Sequence, residues 1–306
     1  MKTKIPSLSY NAMFKAVFAN NKYLLAKLVE AILDYYKLDI DITGKELIIK
    51  RNELNVDNYQ DKQLICDYII KIDDDHEINI EINKSKYTGL SERNLTYSFK
   101  IYYDHFKVGD SYLEFNKYTF FQVNFNNFAN SNGKSINKYY MIDIDDLGNK
   151  LSNNFSVMNI DIAKCFKLVY NNTNLEGISN LEIWGAILKC DYLEDITSIL
   201  ERRQTFMDKE TASNFADAIL KASMDKNVEE DLRLEKTWQE RWDWIEGIAM
   251  EEKEKEVTEK VTKEVTKEVT TKIVKSLLTK KISYEDISEI TGMTIDEIEK
   301  IARKNA

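Results

Sequence analysis

One proline, Pro6, occurs in the 306 residues, so almost nothing in the chain interrupts backbone hydrogen bonding. Cysteine is nearly as scarce. Cys66, Cys165 and Cys190 are odd in number, far apart and form no C-x-x-C pair; this excludes a disulfide framework and points to a reducing, cytoplasmic compartment. With only His76 and His105, a histidine-rich zinc site is excluded. No apolar run approaches the ~18 residues of a membrane span, and the N-terminus MKTKIPSLSYNAM lacks a signal-peptide core, so no membrane association is expected. A Walker loop, G-x-G-x-x-G and G-x-S-x-G are also missing, along with the chemistries they serve. Positive charge is in deficit. A net charge of −9 opposes non-specific attraction to polyanions by the molecule as a whole. Locally, Lys84, Lys86, Arg93, Lys100 and Lys107 gather into a basic stretch.

What the chain does have is apolar and charged material in quantity. At 43% hydrophobic it can build a substantial core, and at 31% charged it exceeds the usual ~25%, which suggests long solvated helices. The most informative stretch runs from Lys62 to Lys84, KQLICDYIIKIDDDHEINIEINK. Both halves alternate apolar and polar residues with period two, and Asp73-Asp74-Asp75 supplies turn chemistry between them. A hairpin centred on Asp74 pairs Cys66 with Ile82, Tyr68 with Ile80 and Ile70 with Ile78 on one apolar face. The same register sets Asp67 across from Glu81 on the other face, and a one-residue slip would bury half the polar set. Asn83 points to the same side as Glu81.

Two carboxylates opposed at roughly 5 Å between Cβ atoms destabilise a sheet. A hard divalent cation offsets that cost, since Mg²⁺ or Mn²⁺ takes one or two carboxylates together with waters and phosphate oxygens. The other reading is a solvated sheet face that carries acids, which are common on surfaces.

Around the hairpin, Asn11 to Asp34 has helical periodicity with a break at Asn20-Asn21, and Glu30 lies in its second part. Lys45–Asn52 reads as a strand. Gly89–Val108 reads as a helix with Leu90, Leu95, Phe99, Tyr102, Tyr103 and Phe106 as its apolar side, and Tyr118–Phe125 as a strand. A polar loop, Asn126–Lys138, precedes strands at Tyr139–Ile144 and Val157–Ile162. Helices follow from Leu175, anchored in a core by Trp184, Ile187 and Leu188, by Phe215, Ile219 and Leu220, and by Trp238, Trp242 and Ile245. Residues 250–278 nearly repeat K-E-V-T. Their valines, four apart from Val257 to Val269 and followed by Ile273, drift about 40° per step, so they hold no coiled-coil seam. Valine and threonine are weak helix formers, so partial fraying is expected there. The last segment has capping boxes at Ser283/Asp286 and Thr294/Glu297 and a stop at Gly292, a small helix-turn-helix-like module with an acidic second helix.

Helix, three strands, helix, strand, with Asp67 on the second strand and Glu81-x-Asn83 on the third, resembles the PD-(D/E)XK nuclease superfamily. More closely, the chain resembles the Rpn group of recombination-promoting nucleases, the PD-(D/E)XK nuclease family transposases. Carrying that resemblance are Phe14-Lys15 with Val17-Phe18, Asp67, Glu81, Arg93 with Tyr97, Asn159-Ile160-Asp161-Ile162-Ala163-Lys164, the Trp-containing helix, the repetitive charged helix and Ile287 to Gly292. It implies an α/β restriction-endonuclease-like core, a mixed sheet flanked by helices over residues 1–170. An α-helical region would follow, divided at 175–249, 250–278 and 279–306. It implies metal-dependent hydrolysis of DNA in recombination or mobile-element activity, or a degenerate nuclease fold that binds DNA or a protein without cutting. Asp67, Glu81 and Asn83 would be catalytic. Asp67, Glu81 and the Ile82 carbonyl would hold Mg²⁺ or Mn²⁺, with Glu30, Lys84, Arg93 and Tyr97 in support. DNA is the expected partner, with self-association through the C-terminal helices. Two positions depart from the family pattern: Asn83 stands where Gln or Lys is usual, and Asn11 where Asp is common.

Overall fold

A computed structural model of the chain describes residues 2–19, 21–50, 53–54, 64–65, 67–107, 109, 111, 113 and 117–303. It contains two compact units, residues 1–241 and 242–306.

In the first unit the chain opens with a short helix α1 (Asn11–Phe14) that widens into a π-turn, Lys15–Ala19. Asn21, at the expected break, caps α2 (Lys22–Tyr36) by accepting the Leu24 amide at 3.2 Å. The apolar stripe of α2 (Leu24, Leu25, Leu28, Val29, Ile32, Leu33) is fully buried.

The strands are β1 (Ile48–Lys50), β2 (Glu53–Leu54), β3 (Leu64–Ile65), β4 (Tyr68–Lys71), β5 (His76–Asn83), β6 (Thr119–Asn126), β7 (Ile136–Tyr140) and β8 (Phe155–Asp161), with helix α3 (Leu90–Asp104) joining β5 to β6. Six form one mixed sheet in the order β1-β4-β5-β6-β8-β7, and β2 pairs with β3 apart from it. β4 and β5 are antiparallel with Tyr68 opposite Ile80 and Ile70 opposite Ile78, the register expected from the alternation. β5, β6 and β8 run parallel, and the α3 crossover makes the first of those pairings possible. The long first hairpin strand does not persist. Leu64–Ile65 turns away to pair with Glu53–Leu54, and the expected Cys66–Ile82 partnership lies outside the described residues.

The two faces of the sheet differ chemically. One carries Tyr68, Ile70, Ile78, Ile80, Val123, Phe125, Met158 and Ile160, which belong with α1 and α2 to the main core. The other carries Glu77, Asn79, Glu81, Asn83, Gln122, Asn124 and Asn126, all buried. Against this polar face α3 presents Leu90, Asn94, Tyr97, Ser98 and Ile101. The expected apolar side of α3 is therefore corrected: Phe99 and Tyr103 are 51% and 73% exposed. A helix over a row of amides turns its own polar groups inward, because an unpaired buried amide costs more than an exposed aromatic.

Helices α4 (Ile162–Asn171), α5 (Asn180–Lys189), α6 (Leu193–Arg202) and α7 (Lys209–Met224) follow. Asp161 caps α4, and Ser179 with Glu182 forms a full capping box on α5. Trp184 at the centre of α5 meets Phe18, Phe206 and Phe215 edge-on. Gly185 lets α5 approach α4 closely, since a Cβ there would lie 2.9 Å from Cys165 Sγ. Cys165 and Cys190 are free and buried.

Helix α8 (Lys226–Thr279) is continuous through the valine repeat instead of fraying, and Val257, Val261, Val265 and Val269 are exposed as their drift requires. Trp238, expected in a core, is 57% exposed, while the side chains of Trp242 and Ile245 lie outside the described residues. In the second unit α9 (Tyr284–Thr291) and α10 (Ile295–Arg303) enclose a small core of Val274, Ile287 and Ile298. Gly292 ends α9 at φ 70°, and Ser283 caps it by accepting the Asp286 amide. At the Thr294/Glu297 box the Glu297 carboxylate accepts from both the Thr294 amide and the Thr294 hydroxyl. No described helix is long and apolar enough to cross a membrane.

Candidate active site

Asp67 sits one residue before β4, so the observed register continues to place it opposite Glu81. The two acids clasp each other's strands. Asp67 N donates to Glu81 Oε1 at 3.2 Å, and Ile82 N donates to Asp67 Oδ2 at 2.8 Å. Asn11, from α1, donates Nδ2 to Asp67 Oδ1 at 2.7 Å. An aspartate at position 11 would add a third negative charge; asparagine instead supplies a donor. Glu81 is 1% exposed, whereas Asp67 keeps an open edge. Burial raises both carboxyls above the ordinary carboxylate range, and the charge of Asp67 raises Glu81 further. On the same face Glu77 is compensated by Lys50 Nζ at 2.5 Å and Tyr118 Oη at 3.2 Å.

Arg93, near the start of α3, supplies the positive charge. Its Nη2 lies 3.5 Å from Glu81 Oε2 and donates to Asn83 Oδ1 at 3.0 Å, and Tyr97 lies beneath the guanidinium at 5.3 Å. Asn83 in turn donates Nδ2 to Asn126 at 2.9 Å. The third position of the motif therefore brings in a cation from the helix although its own side chain is neutral.

Lys84 takes the opposite side of the strand, as alternation requires. Its Nζ donates to Ser9 at 2.7 Å and sits 3.3 Å over the Tyr10 ring, where burial lowers the ammonium to about 8. Glu30 lies on α2, pairs with Lys27 at 2.8 Å and makes no hydrogen bond or ion pair to Asp67 or Glu81. The basic stretch is not one patch: Lys84 turns to Tyr10, Arg93 to Glu81 and Lys100 to Asp104.

Sequence reasoning missed Glu235. From α8 it accepts the amides of Asn11 at 3.0 Å and Ala12 at 3.3 Å, fixing the turn that aims Asn11 at Asp67. No local pattern marks it, because its partners are more than two hundred residues away. Asn79, Gln122 and Asn124 were also missed, and their signal is polar residues alternating within otherwise apolar strands; Asn94, on α3, carries no such mark.

The donor set suits a hard divalent cation. It consists of oxygen only, from two opposed carboxylates that burial disfavours as a charged pair, with lone pairs left over after their hydrogen bonds. Asp67, Glu81 and the Ile82 carbonyl are the groups that would hold it. Among the described residues, no cluster of three or more acidic, histidine or cysteine side chains has metal-binding geometry.

A mixed sheet flanked by helices, with Asp67 and Glu81 on neighbouring antiparallel strands and Arg93 on the crossover helix, has the PD-(D/E)XK nuclease architecture. The profile of the PD-(D/E)XK nuclease family transposases matches residues 10–251, and the chain belongs to that family. No curated protein and no solved structure matches the chain at a significant level.

Proposed function

We propose that the protein is an endonuclease that hydrolyses DNA phosphodiester bonds with Mg²⁺ or Mn²⁺, in recombination or transposase-like mobile-element activity. The observation that carries this reading is the Asp67–Glu81 pair: a buried and a partly buried carboxylate opposed on adjoining strands, each hydrogen-bonded to the backbone of the other's strand, with one open edge. Family membership agrees with it. A bound divalent ion would lower the pKa of a water and neutralise charge on the phosphate. Asp67 and Glu81, with the Ile82 carbonyl, would hold that ion. Asn11 and the Ile82 amide orient Asp67, and the Ile82 amide opposes the burial that raises its carboxyl. Arg93, anchored by Asn83, offers its guanidinium to phosphate oxygens, a role for which its planar fork is suited. Plasmid nicking with Mg²⁺ tests this directly: Asp67→Ala and Glu81→Ala should abolish nicking, and equal activity in all three proteins would overturn the reading.

One observation favours a second reading, a nuclease fold that binds without cutting. The Asn83 amide is already engaged by Arg93 and Asn126 and carries no charge of its own. Calorimetry separates the two, because a non-catalytic site should show no Mg²⁺ binding that depends on Asp67.

A further inference from the structure

The acids share their sheet face with a row of amides, and the direction of that row is physically determined. A guanidinium has donors and no acceptor. Arg93 donates to Asn94 Oδ1 at 3.2 Å, so the Asn94 amide nitrogen must point onward, and it donates to Asn124 Oδ1 at 3.1 Å. Asn124 Nδ2 then donates to Asn159 Oδ1 at 2.8 Å. A second branch runs from Arg93 through Asn83 to Asn126 Oδ1. Each branch ends in an NH₂ group, that of Asn159 and that of Asn126, and neither donates to any described residue. Both residues line one cavity of about 530 Å³ between α3 and the ends of β6, β7 and β8.

The other face of the same strands is packed with Ile78, Ile80, Val123 and Met158, so amides here are not what core packing alone would select. Both residues lie on the cavity wall, where water can meet their amide donors, and a ligand that supplies carbonyl acceptors can take the place of that water. The side walls (Leu90, Leu95, Phe128, Tyr139 and Val157) are apolar or aromatic. A flat group with carbonyl acceptors on its edge and apolar faces matches both features. The cavity is within the ~300–1,000 Å³ range of small-ligand sites. Its position matters as well: Asn124 is one strand over from Glu81 in register, and Asn159 two. At about 4.8 Å per strand, that separation is roughly 10 Å, comparable to the span of one nucleotide from its phosphate to its base.

We propose that this cavity is a base pocket: it takes one unpaired keto nucleobase, thymine or guanine, from the DNA whose backbone lies at Asp67 and Glu81. The proposal rests on the endonuclease reading. A paired base cannot enter, so the strand is single-stranded or the base is extruded from the duplex. Asn126 and Asn159 donate to the base carbonyl, and Tyr139 with Phe128 covers its faces.

Fluorescence anisotropy on the full chain in EDTA, at one fixed salt concentration, tests the pocket without requiring cleavage. The probes are fluorescein-labelled decamers: oligo-dT, oligo-dA and a decamer with abasic sites. Oligo-dT should bind about tenfold more tightly than the abasic decamer and more tightly than oligo-dA. Asn159→Asp, which replaces the donor with an acceptor in the same shape, should bring the dT and abasic affinities within about twofold. Leu95→Trp, at a partly exposed wall residue outside the amide row, should do the same by filling the cavity. Equal binding of all three decamers would overturn the pocket and leave the hydrolysis proposal standing. An unchanged dT preference in both variants would also overturn it, as would failure of every decamer to bind. Plasmid nicking then reports on hydrolysis separately.

Discussion

Replacing Asp67 with asparagine should make the metal-free protein more stable while abolishing the proposed nicking. Two unit charges about 5 Å apart repel by about 3 kcal/mol at an effective dielectric near 20. That figure is a ceiling, because the Ile82 amide, Asn11 and Arg93 already offset part of it. Asparagine keeps the carbonyl that accepts the Ile82 amide. Its new NH₂ meets Asn11, whose Oδ1 is buried and currently without a partner, so a flip of the Asn11 amide accommodates the change. A net gain of about 1–2 kcal/mol is expected, which at ~2–4 °C per kcal/mol for a unit of this size raises Tm by about 2–8 °C. The sign with pH follows from the raised carboxyls. A folded-state pKa above the unfolded value means stability that is complete at low pH and lost as pH rises past the ordinary carboxylate value of ~4 and through the raised folded value. The advantage of Asp67→Asn in EDTA should therefore be small near pH 5 and grow toward pH 8. Magnesium at a hundred times its Kd adds about 2.7 kcal/mol to a protein that binds it, so it should raise the wild-type Tm and leave the variant unmoved. Calorimetric melting across this pH range, in EDTA and in Mg²⁺, measures both effects. If the variant is no more stable than wild type at pH 8 in EDTA, or if Mg²⁺ shifts it equally, then the acids are not a strained, cation-demanding pair.

Arg93→Gln should lower nicking by roughly 10²–10³, the cost of removing one preorganised electrostatic donor, and Arg93→Lys should recover only part of it because it lacks the fork; equal nicking by all three would remove Arg93 from the site. Glu235→Gln weakens two charge-assisted bonds worth about 1–3 kcal/mol together, so hydrogen exchange at the Asn11 and Ala12 amides should accelerate while exchange in α2 does not. Gly185→Ala forces a Cβ within 2.9 Å of Cys165 Sγ and should cost about 1–3 kcal/mol, read as a fall in Tm.

The hairpin was legible because two local rules agreed. Period-two alternation fixed which side chains share a face, and the Asp73-Asp74-Asp75 turn fixed the centre of pairing, so the opposition of Asp67 and Glu81 followed. Helix α3 was misread for a physical reason. Its apolar side is read from periodicity alone, but the sheet face it covers is made of Asn79, Gln122 and Asn124, and Asn94 with Ser98 turns inward to meet them. Nothing in the helix alone says that its partner surface is polar. The amides on β6 are visible in YTFFQVNF, but a strand's alternation alone does not say whether its polar side meets solvent or another element. Glu235 could not have been found, since a carboxylate in a charged helix has no local mark of what it caps.

The same failure of local reading bears on Asn83. Taken by itself, asparagine in place of Lys or Gln is a loss, one methylene shorter and without charge. In the folded chain its carbonyl accepts from Arg93, while its amide continues the bonded row to Asn126. A lysine at position 83 could donate to Asn126 but could not do both: it has no acceptor for the guanidinium, and its charge would oppose Arg93 across a gap now closed to 3.0 Å. The cation beside Glu81 thus comes from the crossover helix, and the strand residue is of the type that can hold it there. A substitution that looks like decay in the motif is, in three dimensions, matched to the arginine that faces it.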